Sequence, residues 1–207
     1  LYSSAASDVY KRQISSHKGR GLVSEVFDTD ALEQLKGDTA VGHVRYSTAG
    51  GNDVANVQPL TVKYASGDLA LAHNGNLTNH RDLRERLVEE GAIVRSSADS
   101  ETLVHLIAKS RHDTVETQID DALSHLEGAF SVILSVGSTI YAARDPRGFR
   151  PLVLGRKDQG HIVVSETCAL DIMGADYVRD LEPGEVIRIH RGTVEVLRSL
   201  KPANRPA

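Results

Sequence analysis

Three segments of the chain are apolar at successive positions: Ser131–Val136 (SVILSV), Pro151–Gly155 (PLVLG) and His161–Ser165 (HIVVS). A strand with one face in water alternates apolar and polar residues, so an unbroken apolar run places a strand between two covering layers. Turn residues punctuate these runs. Gly137-Ser138 joins Ala129–Val136 to Thr139–Arg144, and Arg191-Gly192 joins Val186–His190 to Thr193–Leu197, both two-residue hairpin signals. Leu152–Arg156 and His161–Ser165 form a further pair, and Pro59–Tyr64 and Leu69–Ala72 flank Ser66-Gly67-Asp68. Thr39–Tyr46 reads as a strand, followed by a polar loop over Ser47–Gln58.

Helical spacing is grouped elsewhere. Leu83 and Leu87 fall on one face of Thr78–Glu90, Leu103 and Ile107 on one face of Asp99–Ser110, and Val115, Ile119, Leu123 and Leu126 on one face of Thr114–Leu126. Shorter helices are expected over Asp28–Leu35, stopped by Gly37, and over Thr167–Met173. Antiparallel hairpins with helices grouped in sequence predict an α+β fold, best satisfied by two packed sheets each backed by helices. The core of such a fold must be built from Val, Leu, Ile and Ala, because the 207 residues include no Trp, 3 Phe and 6 Tyr.

Charge narrows the partners. A formal net charge of -4 argues against nucleic acid or an anionic membrane surface, and no apolar run approaches the roughly 18 residues a membrane helix needs. One cysteine, Cys168, excludes an internal disulfide and a multi-thiolate metal site. His43, His73 and His105 do not fall at zinc-ligand spacings, so no metal site is expected. Residues 1–13 (LYSSAASDVYKRQ) are polar and without period and are expected to be extraneous or disordered; 14–200 form the globular unit, and 201–207 read as a linker.

Several residues can carry chemistry. His73-Asn74-Gly75-Asn76 follows the apolar strand LALA. An Asn amide and a Gly N–H can converge on one oxygen, as an oxyanion hole requires, although Asn-Gly is also the commonest hairpin turn pair. In Gly42-His43-Val44-Arg45-Tyr46-Ser47-Thr48, Arg45 at a strand end can grip a carboxylate in a bidentate way and Thr48 can add a hydroxyl; the alternative is a structural salt bridge. Asp99 opens a helix and can either pair with an ammonium or simply cap the helix. Cys168, at a strand-to-helix transition, is conceivable as a nucleophile, but no base pairs with it in the sequence. The three arginines of Arg144-Asp145-Pro146-Arg147-Gly148-Phe149-Arg150 can hold an anion or serve the turn. Taken together, a guanidinium, a carboxylate and paired amide donors complement an α-amino acid with a side-chain carbonyl. Glutamine has these features, and amide hydrolysis is the matching reaction.

In order along the chain, GHVRYSTAG, ALAHNGNL, SADSETLVHLIA, EGAFSVIL, AARDPRGFRPLVLG and VVSETCALD resemble the glutaminase domain of the amidophosphoribosyltransferase family, over about Ser16 to Leu200. The Tyr after Arg45 and the Ser-Thr-Ala-Gly run favour this family over the sugar-phosphate aminotransferases, which share the glutaminase fold. The resemblance implies a four-layer αββα sandwich of the N-terminal-nucleophile hydrolase class. It implies that Arg45 and Thr48 bind the carboxylate side of glutamine, Asp99 its ammonium, and that Asn74 with Gly75 form the oxyanion hole. It further implies release of ammonia for phosphoribosylamine synthesis in purine biosynthesis, phosphoribosyl pyrophosphate as the second substrate, a cytoplasmic enzyme and a homo-oligomer.

The sequence departs from that pattern. The family's nucleophile is an N-terminal Cys; here residue 1 is Leu and Cys168 matches a non-catalytic position. The expectation is a domain incomplete at its N-terminus, separated from the phosphoribosyltransferase domain that would bring magnesium, and without glutaminase turnover of its own. An iron–sulfur cluster would depend on thiols outside this chain. A non-catalytic amino-acid-binding or regulatory module of the same fold is the alternative.

Overall fold

The computed structural model describes residues 2–8, 13–44 and 54–201. Its centre is a six-stranded antiparallel sheet. In spatial order this sheet contains β12 (Thr193–Ser199), β11 (Glu185–His190), β7 (Thr139–Arg144), β6 (Gly128–Val136), β5 (Gly67–Leu77) and β4 (Leu60–Tyr64). On one face lie α3 (His80–Glu89), α4 (Asp99–Lys109) and α5 (Val115–Ser124). On the other face lie two three-stranded sheets. One is β10 (Asp176–Asp180), β8 (Val153–Lys157) and β9 (Gly160–Val164); the other is β2 (Gln13–Gly19), β1 (Tyr2–Asp8) and β3 (Thr39–Val44). The short helix α6 (Cys168–Met173) packs against β9 and β10, and its Leu170 lies over Gly155 of β8. Two further helices, α1 (Val23–Val26) and α2 (Thr29–Gln34), connect β2 to β3. No helix among the described residues is long and apolar enough to cross a membrane.

The unbroken apolar runs are explained by these layers. In β6, Phe130, Val132 and Leu134 enter the core under the helices, while Ile133 packs against the smaller core formed with Leu152, Leu154 and Leu181. Around β8, Leu152 and Leu154 face that second core. Gly155 faces α6, where a Cβ would stand 2.4 Å from Leu170 Cδ2. Both faces of these strands are therefore covered, and the sequence-predicted α+β sandwich is the observed architecture.

Most elements lie where the sequence places them. Asp28 caps α2 by accepting from Ala31 N–H at 2.8 Å, and Thr114 caps α5 by accepting from Thr117 N–H at 3.2 Å. The Arg191-Gly192 turn has φ of 49° and 74°, as a type I′ hairpin requires. Three differences matter. β5 runs on to Leu77 instead of stopping at Ala72. β10 is an additional strand, missed because four of its five residues are exposed and its run DYVRD is too polar to signal burial. Finally, within residues 1–13, expected to be extraneous or disordered, Tyr2–Asp8 is strand backbone paired with β2 on one side and β3 on the other, a finding about order and not about whether the segment is extraneous. Ladder pairing satisfies backbone groups whatever the side-chain period, which is why a segment without alternation can still form a strand.

Candidate functional site

As far as Leu71, β5 is flanked by β4 and β6. β4 begins at Leu60, opposite Leu71, so beyond that pair no strand among the described residues pairs with the β4 side of β5. The N–H groups there need other partners. His73 N–H donates to Gln58 Oε1 at 2.6 Å, with the Gln58 side chain standing in for the missing ladder carbonyl. Leu77 N–H donates to Asp99 Oδ2 at 3.0 Å.

Gly75 lies midway between these two. Backbone groups along an antiparallel strand alternate sides. Opposite Gly75 is Phe130, whose carbonyl accepts from Asp145 N–H at 2.8 Å on the β7 side of β6. Gly75–Phe130 is thus a non-hydrogen-bonded pair, and the Gly75 N–H faces the margin that β4 leaves uncovered. Asn74-Gly75 is not a hairpin turn, as its composition alone allows; it sits inside a strand, at an edge. A backbone donor directed at an open margin can receive an anionic oxygen. Asn74 is exposed and, with Gly42, His43 and Ser131, lines a cleft of about 190 Å³ between β5–β6 and the outer strands.

Gly75 is demanded by packing as well. Its φ is +154°, and a Cβ would lie 2.0 Å from the Ala129 carbonyl oxygen and 2.8 Å from Phe130 Cα. Strands approach most closely at non-hydrogen-bonded pairs, so here the glycine lets β6 come close.

Asp99 is the first residue of α4, yet it does not cap the helix. The N-cap is Ala98, with no side-chain cap, and Glu101 reaches back to the preceding loop, to Arg95 N–H and Ser96 N–H, each at 2.8 Å. The Asp99 carboxylate is left to cross to β5, where Oδ2 takes the Leu77 N–H and Oδ1 lies 3.3 Å from His73 Nδ1. Its side chain is 20% exposed. Burial pushes its pKa up, but the hydrogen bond and charge of His73 and the N–H groups of Leu77 and Ser100 outweigh burial and hold it below the usual Asp value. The start of α4 is anchored from three directions. Arg84 donates to Ser96 O at 2.6 Å, Ser97 N–H donates to Asn56 Oδ1 at 3.1 Å, and Lys18 Nζ donates to the adjacent Val57 O at 2.8 Å.

The carboxylates of Asp99, Glu101 and Glu185 are all held below their ordinary values; burial opposes this in each, and hydrogen bonds prevail. A depressed folded-state pKa gives stability that is present above the unfolded value, about 4, and is lost as pH falls through the folded value. The urea midpoint should therefore hold from pH 7 to 5 and drop below about pH 4. A midpoint that rises on acidification would contradict these assignments.

Asn74, Gly75 and Asp99 are thus brought to one stretch of β5, with Asp99 bound to the residues on either side of the Asn74-Gly75 pair. Arg45 and Thr48 lie outside the described residues. Cys168 is exposed at the start of α6, with Sγ 3.5 Å from Glu166 Oε2. Arg144 serves the turn: its guanidinium donates to the carbonyls of Arg150, Leu181 and Gly148, and buried Asp145 accepts from Arg147 and Arg150 N–H. Sequence reasoning gave His73, though inside the His73–Asn76 motif, no role of its own, and missed Gln58. The available signal was position: His73 directly precedes Asn-Gly, and Gln58 precedes the strand that ends short.

Comparison with known proteins follows the same lines. The family described as Glutamine amidotransferase domain matches residues 43–171. The chain is 46% identical over 179 residues to amidophosphoribosyltransferase of Bacillus subtilis (strain 168), covering 86% of this chain and 38% of that protein. It is 48% identical over 178 residues to the chloroplastic amidophosphoribosyltransferase 2 of Arabidopsis thaliana, covering 86% of this chain and 32% of that protein. The chain therefore spans about a third of the length of these relatives. Among solved structures, glutamine phosphoribosylpyrophosphate amidotransferase from B. subtilis, complexed with ADP and GMP, superposes with a TM-score of 0.90 at 40% identity over 99% of this chain and 44% of that one. A glutamine aminotransferase class-II domain protein from Silicibacter pomeroyi has the same fold, with a TM-score of 0.66 at 20% identity, covering 97% of this chain and 92% of that one. These neighbours place the sandwich in the N-terminal-nucleophile hydrolase class.

Proposed function

The chain belongs to the glutamine amidotransferase domain family, and from that premise we propose that it is the glutaminase half of an amidophosphoribosyltransferase. In this reading glutamine lies across the margin of β5. Asp99 takes the ammonium, and Arg45 and Thr48 take the carboxylate end. The Asn74 amide and the Gly75 N–H hold the amide oxygen as it becomes an oxyanion, where one such donor contributes about 2.7–4 kcal/mol to the transition state. Ammonia released there would be consumed with phosphoribosyl pyrophosphate by a second domain, giving phosphoribosylamine for purine synthesis.

The observation that supports this reading most is the convergence of Asp99 with the Asn74-Gly75 stretch of β5. An acid for the ammonium and donors for the side-chain oxygen stand on the same strand end, as a free amino acid with a side-chain amide needs. Attack on that amide also requires a nucleophile. The only thiol of the sequence, Cys168, is exposed and paired with Glu166. The chain should accordingly bind L-glutamine without hydrolysing it. A non-catalytic glutamine-binding module is the second reading, favoured by that same isolated thiol.

Titration calorimetry with L-glutamine, combined with an ammonia assay, tests this directly. Binding without ammonia release is the expected result. Absence of binding overturns the glutamine assignment. Ammonia release by the chain would show a nucleophile that this reading does not contain. Ammonia release by the complete gene product separates the enzyme from the module.

A further inference from the structure

His73 is the least expected member of the site. It is 4% exposed, and its backbone is fixed by the Gln58 side chain at 2.6 Å. Its Nδ1 lies 3.3 Å from Asp99 Oδ1, while its Nε2 is buried with no hydrogen-bond partner among the described residues. A carboxylate only accepts, so Nδ1 must carry the proton in this contact. A polar ring buried on a strand costs free energy unless its one made contact compensates.

We propose that His73 is a positioning residue for Asp99, and that through Asp99 it sets the selectivity of the site for ligands with a free α-ammonium group. This rests on the glutamine reading given above. The geometry is a two-point clamp. Leu77 N–H fixes Oδ2 and His73 Nδ1–H fixes Oδ1, with Ser100 N–H as a further donor, which leaves about one of the carboxylate's four lone pairs for a ligand. Without His73 the carboxylate keeps only its backbone donors, Leu77 and Ser100, and is freer to rotate about its Cβ–Cγ bond. An ammonium would then have to order it on binding, at a cost in affinity. The imidazole itself need not touch the ligand.

Calorimetry with two probes tests this on the purified chain. L-Glutamine carries the ammonium; 4-carbamoylbutanoate is the same molecule without it. His73→Leu removes the Nδ1–H donor and should weaken L-glutamine about tenfold or more while leaving 4-carbamoylbutanoate within about twofold. His73→Asn, whose Nδ2 takes the place of Nδ1, should restore most of the difference. In an Asp99→Asn background, His73→Leu should have no further effect on either probe. His73→Gln, whose amide reaches the Nε2 position instead, serves if the Leu variant does not fold and should behave as the Leu variant does. Equal weakening of both probes, or failure of Asn to rescue, would show that His73 is only structural and would overturn the proposal while leaving the glutamine reading intact. Failure of the unmodified chain to bind L-glutamine would overturn both.

Discussion

Gly75→Ala is expected to prevent folding, not merely to weaken a ligand. The added Cβ would sit 2.0 Å from the Ala129 carbonyl oxygen and 2.9 Å from its carbon, and both belong to the backbone of β6, a central strand. Neither strand can yield without disturbing the core beneath, where Phe130 is fully buried. Close packing turns such an overlap into backbone displacement. The φ of +154° adds strain for any residue with a side chain. A cost above about 4 kcal/mol is expected, against a total stability of about 5–15 kcal/mol for a domain. Soluble yield and the urea midpoint should both collapse. Gly42→Ala is the matched control: it lines the cleft beside Asn74, but its Cβ would meet nothing within 4 Å, so stability should be nearly unchanged. A well-folded Gly75→Ala protein would show that the close approach of β5 and β6 is not as described.

Asp99→Asn is expected to abolish most glutamine affinity while sparing the fold. Asn keeps an oxygen for the Leu77 N–H, loses the negative charge, and turns its NH2 toward His73, whose neutral ring can accept from it at Nδ1 once its proton sits on Nε2. Truncating one partner of a desolvated charge pair costs about 2–5 kcal/mol in binding, or roughly 30-fold and more. Asp99→Ala should lose the same affinity and also destabilise the protein, because Leu77 N–H and His73 Nδ1 would both lose their acceptor, at about 1–3 kcal/mol for each group left unsatisfied. The contrast between Asn and Ala separates the ligand contact from the structural one. Unchanged glutamine affinity in Asp99→Asn would remove this residue from the site.

How far the sequence is legible depends on which signal a residue sends. The two-sided strands SVILSV and PLVLG announce themselves because burial on both faces leaves no room for polar alternation. The helices are equally readable, since Leu83 and Leu87, or Leu103 and Ile107, must share a face to be buried. The end of β5 is not. Asn74 and Asn76 are poor strand formers, and Asn-Gly suggests a turn; only the pairing of Gly75 with Phe130 makes this segment a strand. Asp99 was ambiguous because a helix start rewards a carboxylate in either role. The decision came from β5, whose Leu77 N–H and His73 Nδ1 draw the carboxylate across from the helix start. The contact between His73 and Asp99 joins distant parts of the chain and carries no local periodicity at all. Cross-element polar contacts of this kind arise from topology, which propensity and pattern do not encode.

The most direct test of the site is a crystal structure of the chain with L-glutamine bound. The ammonium should lie within hydrogen-bond distance of the Asp99 carboxylate, and the side-chain amide oxygen should lie within reach of both the Asn74 amide and the Gly75 N–H. Glutamine bound elsewhere, or bound at β5 with its amide turned away from Asn74 and Gly75, would contradict the account.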